Sequence, residues 1–237
     1  MIRFRPLWRL TLASVALFAI LVGLGVWQLE RLQWKLALIA EVNHHLAEPP
    51  ISLAKALSLG GAAQYRHVAL TGRFDNAKEA YVFATAPGGE QVYHVIAPFR
   101  VEGDGTLLVD RGIVPEEKLA PKTRLAGQPK GTQHLIGVWR TPDAPGFFTP
   151  PPDRAHRIWY ARDLKGIAAT DGLRLAAPVL VEADAMANPG GWPKGGQTVV
   201  SFRNEHLQYA LTWFGLAAVL LAVYVAYHVS RGRLTLR

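Results

Sequence analysis

The chain has 237 residues, half of them hydrophobic and 19% charged, a more apolar balance than the roughly 25% charged of an average soluble domain. It has no cysteine and only two methionines, which excludes disulfides, thiolate metal sites, iron–sulfur clusters, cysteine nucleophiles, C-x-x-C-H attachment and a methionine-rich copper carrier. The net charge of +8 is not a nucleic-acid-binding stripe: Leu36 to Glu205 carries 18 Lys+Arg against 17 Asp+Glu, and the excess sits mainly in Arg3, Arg5, Arg9, Arg231, Arg233 and Arg237 at the two ends.

Each terminal cluster abuts an apolar run. Leu10 to Leu29 and Leu207 to Tyr227 hold twenty and twenty-one residues without a charge, and roughly 20 residues cross a hydrocarbon core of about 30 Å. Trp8 and Trp27 flank the first run, and Tyr209, Trp213, Tyr224 and Tyr227 mark the second, as interfacial aromatic belts do. Neither run shows the polar face of a core helix. The first exceeds the apolar stretch of a signal peptide, about 7 to 15 residues, and lacks a small-x-small cleavage pair, so it reads as a retained anchor. The expected organisation is a cytoplasmic segment 1–9, a span 10–29, an extracytoplasmic domain 30–206, a span 207–228 and a cytoplasmic tail 229–237. The flanking arginines place both termini in the cytoplasm.

Between the spans, Trp34 to Leu46 continues the first helix amphipathically, with Leu38 and Val42 four apart, and stops near Pro49-Pro50. Strands are expected at Tyr65–Phe74, Glu79–Ala84, Val92–Arg100, Thr106–Val114, His134–Arg140, Ile158–Arg162, Pro178–Ala183 and Thr198–Arg203. Gly, Asn and Asp turns separate them, and short helices are expected at Ser52–Leu59 and Leu164–Ala169. The fold class is an integral membrane protein whose two transmembrane α-helices flank a mainly-β (α+β) domain, a small barrel or sandwich with peripheral helices.

Enzyme signatures are absent: there is no G-x-S-x-G, H-E-x-x-H, G-x-G-x-x-G or P-loop. His44, His45, His67, His94, His134 and His156 fall in a helix end or beside strands, where surface or capping roles prevail. Asp110 and Arg111 interrupt an apolar strand and read as a buried charge pair or as a solvated turn. His206 differs because it stands where the second span begins, with Tyr209, Ala210 and Trp213 on the same helical face at i+3, i+4 and i+7. Two readings stand: imidazole giving an axial bond to iron in a flat apolar ring, or an interfacial helix start with Asn204 as cap and the aromatics as membrane belt. Antiparallel spans would bring His206 to the depth of Trp27, Gln28, Glu30 and Arg31.

The segments Gly25-Val26-Trp27-Gln28-Leu29-Glu30-Arg31, Tyr65-Arg66, Gly72-Arg73-Phe74-Asp75, Val109-Asp110-Arg111-Gly112-Ile113-Val114-Pro115, Gly137-Val138-Trp139-Arg140, Trp159-Tyr160-Ala161-Arg162-Asp163, Gly195-Gly196-Gln197-Thr198 and Arg203-Asn204-Glu205-His206-Leu207-Gln208-Tyr209-Ala210, in that order, resemble the surfeit locus protein 1 family. The likeness runs from about residue 23 to residue 216. Ile113 stands where the family usually has an aromatic, and Pro150-Pro151-Pro152-Asp153-Arg154 where it is usually Asn-rich.

The resemblance implies a non-enzymatic assembly factor for cytochrome c oxidase, which helps insert or stabilise haem a, bound transiently, in the catalytic subunit. His206 is the candidate axial ligand. Trp27, Tyr209 and Trp213 are candidates to support the ring, with Arg31, Lys35 or Arg203 to pair with its propionates. The implied partners are that subunit, haem a synthesis or other assembly factors, and the membrane, with no nucleic acid. The short basic leader favours a bacterial inner membrane, with the domain in the periplasm. Two other readings stand beside it: a structural partner of an oxidase subunit that binds no haem, and a tethered enzyme using Asp110, Arg111 and His206.

Overall fold

The computed structural model describes residues 2–86, 88–142, 145–185, 188–198, 202 and 204–236. Its elements in chain order are β1 (Ile2–Phe4), α1 (Trp8–Ala47), β2 (Ile51–Ser52), α2 (Leu53–Leu59), β3 (His67–Phe74), β4 (Ala80–Thr85), β5 (Gln91–Val101), β6 (Gly105–Pro115), β7 (Gln133–Arg140), β8 (Ile158–Trp159), α3 (Leu164–Thr170), β9 (Leu175–Ala183), α4 (His206–Ser230) and β10 (Leu234–Leu236). They form two compact units, Met1–Glu41 with Ser201–Arg237, and Val42–Val200.

In the first unit α1 and α4 are each long and apolar enough to cross a membrane. The first apolar run and the amphipathic stretch after it are one helix, which ends at Ala47, just before Pro49-Pro50, because the residue ahead of a proline is driven out of helical geometry. α1 and α4 lie antiparallel. Thr11 Oγ1 and Tyr224 OH are 2.6 Å apart near one end, and the Phe214 ring packs on Gly25, where an added Cβ would lie 2.6 Å from the ring. Small residues give such close approach between apolar helices. β1 and β10 pair antiparallel, Phe4 opposite Leu234, so both chain ends emerge at the same end of the helix pair.

The second unit is built on a sheet of order β2-β3-β7-β9-β6-β5-β4-β8 that curls until β3 also pairs with β5. Gly72 faces Val101, and Phe74 faces Phe99. The strands β3, β7, β9, β6 and β5 thereby close a five-stranded barrel, with the connectivity of an OB-type Greek key. β5 serves two neighbours because it is long: Gln91–Ile96 bonds β4 and its last three residues bond β3. Alternation along β6 sorts its side chains. Leu107 and Val109 join Val68, Leu70, Phe99 and Trp139 inside the barrel, whereas Leu108 joins Ile96, Leu180, Trp159 and Ile167 of α3 in a second core outside it.

The expected fold class is the one found, with the small barrel chosen over the sandwich. β8 is shorter than the expected Ile158–Arg162 because Asp163 already caps α3, accepting from the Gly166 N–H at 2.9 Å. β9 starts earlier than expected, at Leu175. Its Pro178 is tolerated because no ladder partner is paired there, the β6 register shifting between Thr106 and Leu108 and the β7 ladder starting at Leu180. The expected strand Thr198–Arg203 lies almost wholly outside the described residues.

Candidate functional site

His206 is the first residue of α4. The helix starts after Glu205, so Asn204 stands one residue too early to cap it; instead, the Asn204 Oδ1 is buried without a hydrogen-bond partner among the described residues. The expected Asn204 cap is therefore not formed. His206 Nδ1 lies 2.7 Å from Gln28 Oε1 of α1. An amide oxygen only accepts, so Nδ1 donates, and Nε2 is the ring nitrogen left out of this bond. A hydrogen bond that fixes one ring nitrogen and leaves the other basic is how metal-ligating histidines are oriented.

Ala210 and Ala217 continue the His206 face of α4 and are buried, which marks that face as the one turned to α1. Trp213 is half-buried. Tyr209 and Trp27 are each 50% exposed, so they flank the His206–Gln28 contact without enclosing it. Arg31 is exposed, its guanidinium 4.5 Å over the Trp34 ring, and Lys35 Nζ lies 5.0 Å from the Phe202 ring. Arg203 lies outside the described residues.

The β unit holds two buried polar clusters, and β6 feeds both. Asp110 and Arg111 do not pair with each other, because consecutive residues of a strand point to opposite faces. Arg111 reaches Glu79 Oε1 at 3.2 Å and donates to the Gly127 carbonyl at 2.5 Å. Arg124 grips the same carboxylate in two places, at 3.1 and 2.6 Å, and the Tyr81 hydroxyl donates to it at 3.3 Å. Burial, reinforced by the Glu79 charge, pushes the Tyr81 phenol up to about 12. On the other face Asp110 accepts from the Gly112 N–H at 2.9 Å, and its Oδ2 lies 2.8 Å from His94 Nδ1 and 3.5 Å from Arg162 Nη2. Burial alone would raise the Asp110 carboxyl, but His94, Arg162 and Gly112 outweigh it and hold the group below its ordinary value.

Asp110 and Arg111 are thus engaged on opposite faces of one strand and do not present a joint site. Among the described residues no group of three His, Asp or Glu side chains is placed to hold a metal ion.

This chain matches the SURF1 family model over residues 15–218. It belongs to the SURF1 family. Surfeit locus protein 1 of Mus musculus is 39% identical over 89% of this chain and 72% of its own length. The protein of that name from Homo sapiens is 38% identical over 89% and 73%, and the one from Takifugu rubripes is 35% identical over 94% and 97%. The family match spans all of the barrel, most of α1 and about half of α4.

For this SURF1 member, sequence reasoning placed Gln28 at the depth of His206 but gave it no role. It left His94 as a surface residue, although its side chain is 12% exposed and lies against Asp110. Glu79, Arg124 and Glu182 were missed. Glu79 opens an apolar strand and Glu182 interrupts one, which is the available signal, but a partner contributed by a distant strand is not visible along the chain.

Proposed function

We propose that this SURF1 member is a non-enzymatic assembly factor for cytochrome c oxidase, acting on haem a at the His206 end of the helix pair. The observation that supports this most is the 2.7 Å contact of His206 Nδ1 with Gln28 Oε1, which leaves Nε2 as the ring nitrogen suited to haem iron. The residues fit that group: one oriented imidazole, flanked by the exposed aromatic rings of Trp27 and Tyr209, with Arg31 and Lys35 of α1 available to its propionates. When bound, haem a supplies the iron centre to be delivered. The chain's own part is to orient the imidazole through Gln28 and to hold the ring at the membrane boundary, open enough to release it. The paired termini and their arginines support a bacterial inner-membrane topology with both ends cytoplasmic and the β unit periplasmic.

The test is an absorption spectrum of protein purified from cells that make haem a. His206→Ala should stay in the membrane at normal level and lose the haem band, and oxidase activity should fall while other respiratory enzymes persist. Gln28→Leu should weaken haem retention on the order of tenfold, the usual effect of removing a partner that orients a ligand. Stoichiometric haem in His206→Ala would remove it as ligand. A second reading, a structural partner of an oxidase subunit that binds no haem, is favoured by the outward-facing Trp27 and Tyr209, which suit a protein contact as well as a ring. Wild-type protein that supports oxidase assembly without any haem band would select it.

A further inference from the structure

Four of the segments that carry the family resemblance meet at a place the proposed function does not use. Ile113 of β6, Arg140 at the end of β7, Arg162 just after β8, and Gln197 converge with His94 of β5 and Glu182 of β9 around a cavity of about 260 Å³ on the outer side of the barrel. A second cavity of about 230 Å³ shares Arg140, Arg162 and Glu182 and runs on past Gly146 and Thr149.

The charges lining this cavity are poorly satisfied. The Glu182 carboxylate, 7% exposed, meets Arg140 Nε only at 3.8 Å and Arg162 Nη2 only at 3.6 Å, beyond hydrogen-bond reach. Among the described residues the Nε atoms of both arginines are buried without a hydrogen-bond partner, a state that carries a desolvation cost and calls for a reason. The Glu79 cluster, built of the same residue types but more deeply buried, closes to between 2.6 and 3.2 Å, whereas the Arg140 and Arg162 side chains remain 23% and 33% exposed toward the cavity. Arg140 also stacks 4.6 Å over the Tyr65 ring, which fixes its plane and leaves its N–H edges free to bind.

Charge selects the ligand. Arg162 is shared between Glu182 and Asp110, whose Oδ2 lies 3.5 Å from its Nη2, and Arg140 faces Glu182 alone, so neither guanidinium is closed on a carboxylate by a short two-point pair. With Glu182 and Asp110 both nearby, a singly charged group is repelled less than a doubly charged phosphate. We propose that this cavity binds a carboxylate between Arg140 and Arg162, with Gln197 at its edge, supplied by a small free acid or by the carboxylate arm of a larger ligand. The volume suits a small molecule or such an arm, and a bidentate guanidinium is the natural partner of a carboxylate.

The test uses the full chain in detergent, each variant checked for folding by circular dichroism. Glutarate binding is read by saturation-transfer NMR, and binding of metal-free mesoporphyrin by its fluorescence. The porphyrin carries propionates but no iron, so its outcome is independent of His206. Arg140→Gln and Arg162→Gln should each weaken binding roughly tenfold or more, as loss of a charged hydrogen bond does. Glu182→Gln should strengthen it several-fold by freeing both guanidiniums, a gain that misfolding cannot imitate. Glutarate binding alone identifies a small free acid; porphyrin binding that depends on Arg162 identifies the arm of a larger ligand. Absence of binding by both probes, or binding indifferent to all three substitutions, overturns the proposal.

Discussion

Glu79 is one carboxylate between two buried guanidiniums, so the three substitutions of that cluster should differ in severity. Glu79→Ala leaves Arg111 and Arg124, 3% and 1% exposed at their side chains, facing each other without a counter-charge. Breaking a buried pair this way costs on the order of 3 to 5 kcal/mol. Arg111→Ala should cost less, because Arg124 still holds Glu79 through two bonds. Thermal melts in detergent check the order; equal melting temperatures would show the cluster to be solvated and inert. Asp110 has a pH signature. Its carboxyl is held below the ordinary value against burial, so its contribution is complete above the unfolded carboxylate range and is lost only as pH falls through the lower, folded value. Asp110→Asn should therefore lower stability at neutral pH and flatten the acid limb of melting temperature against pH. Read along the sequence, Asp110-Arg111 looked like one ion pair; two-residue periodicity turns them apart, and their true partners come from strands that no local pattern connects.

At the scale of elements, the β6–β5 register shows how a single glycine builds the polar face. Between His94 and Ile96 the ladder gains a residue on β6, a bulge that sits at Gly112, whose φ is 108°. A side chain there would meet the Lys194 carbonyl, and the N–H of the same glycine holds Asp110. Gly112→Ala should thus combine backbone strain with a displaced 194–196 segment, a loss of at least about 1 to 3 kcal/mol, seen as a lowered melting temperature and poor accumulation in the membrane. The strands themselves were legible because β-branched and aromatic runs were bounded by Gly and Asp turns: β3 to β7 begin and end within about two residues of expectation. Closure was not legible, since it depends on β3 reaching β5 across the whole unit. The polar cavity was illegible for the same reason, its residues being spread over β5, β7, β9 and the turns around them. His206 was legible because its chemistry is local to one helix end, and Gln28 was reachable only by pairing the spans.

At the scale of the whole molecule, the helices and the basic ends make a topological prediction. Alkaline phosphatase inserted near the exposed turn at Gly103 should be active, and the same enzyme fused after Arg237 should be inactive, because arginine-rich flanks stay cytoplasmic; the reverse pattern would invert the orientation. The barrel also imposes an order in time. β9 is the last of its strands to be made, yet it lies between β6 and β7 and pairs with both. Until Leu175–Ala183 arrives, those two earlier strands hold unpaired edges toward an empty slot, an invitation to mispairing. The unit therefore cannot mature stave by stave as it is exported; it waits, open, for a late segment and then closes in one step. A chain stopped before Leu175 should be protease-sensitive and aggregate, whereas one stopped soon after Gln197 should resist digestion, so the vulnerable interval in this protein's life is the synthesis of the stretch between β7 and the end of β9.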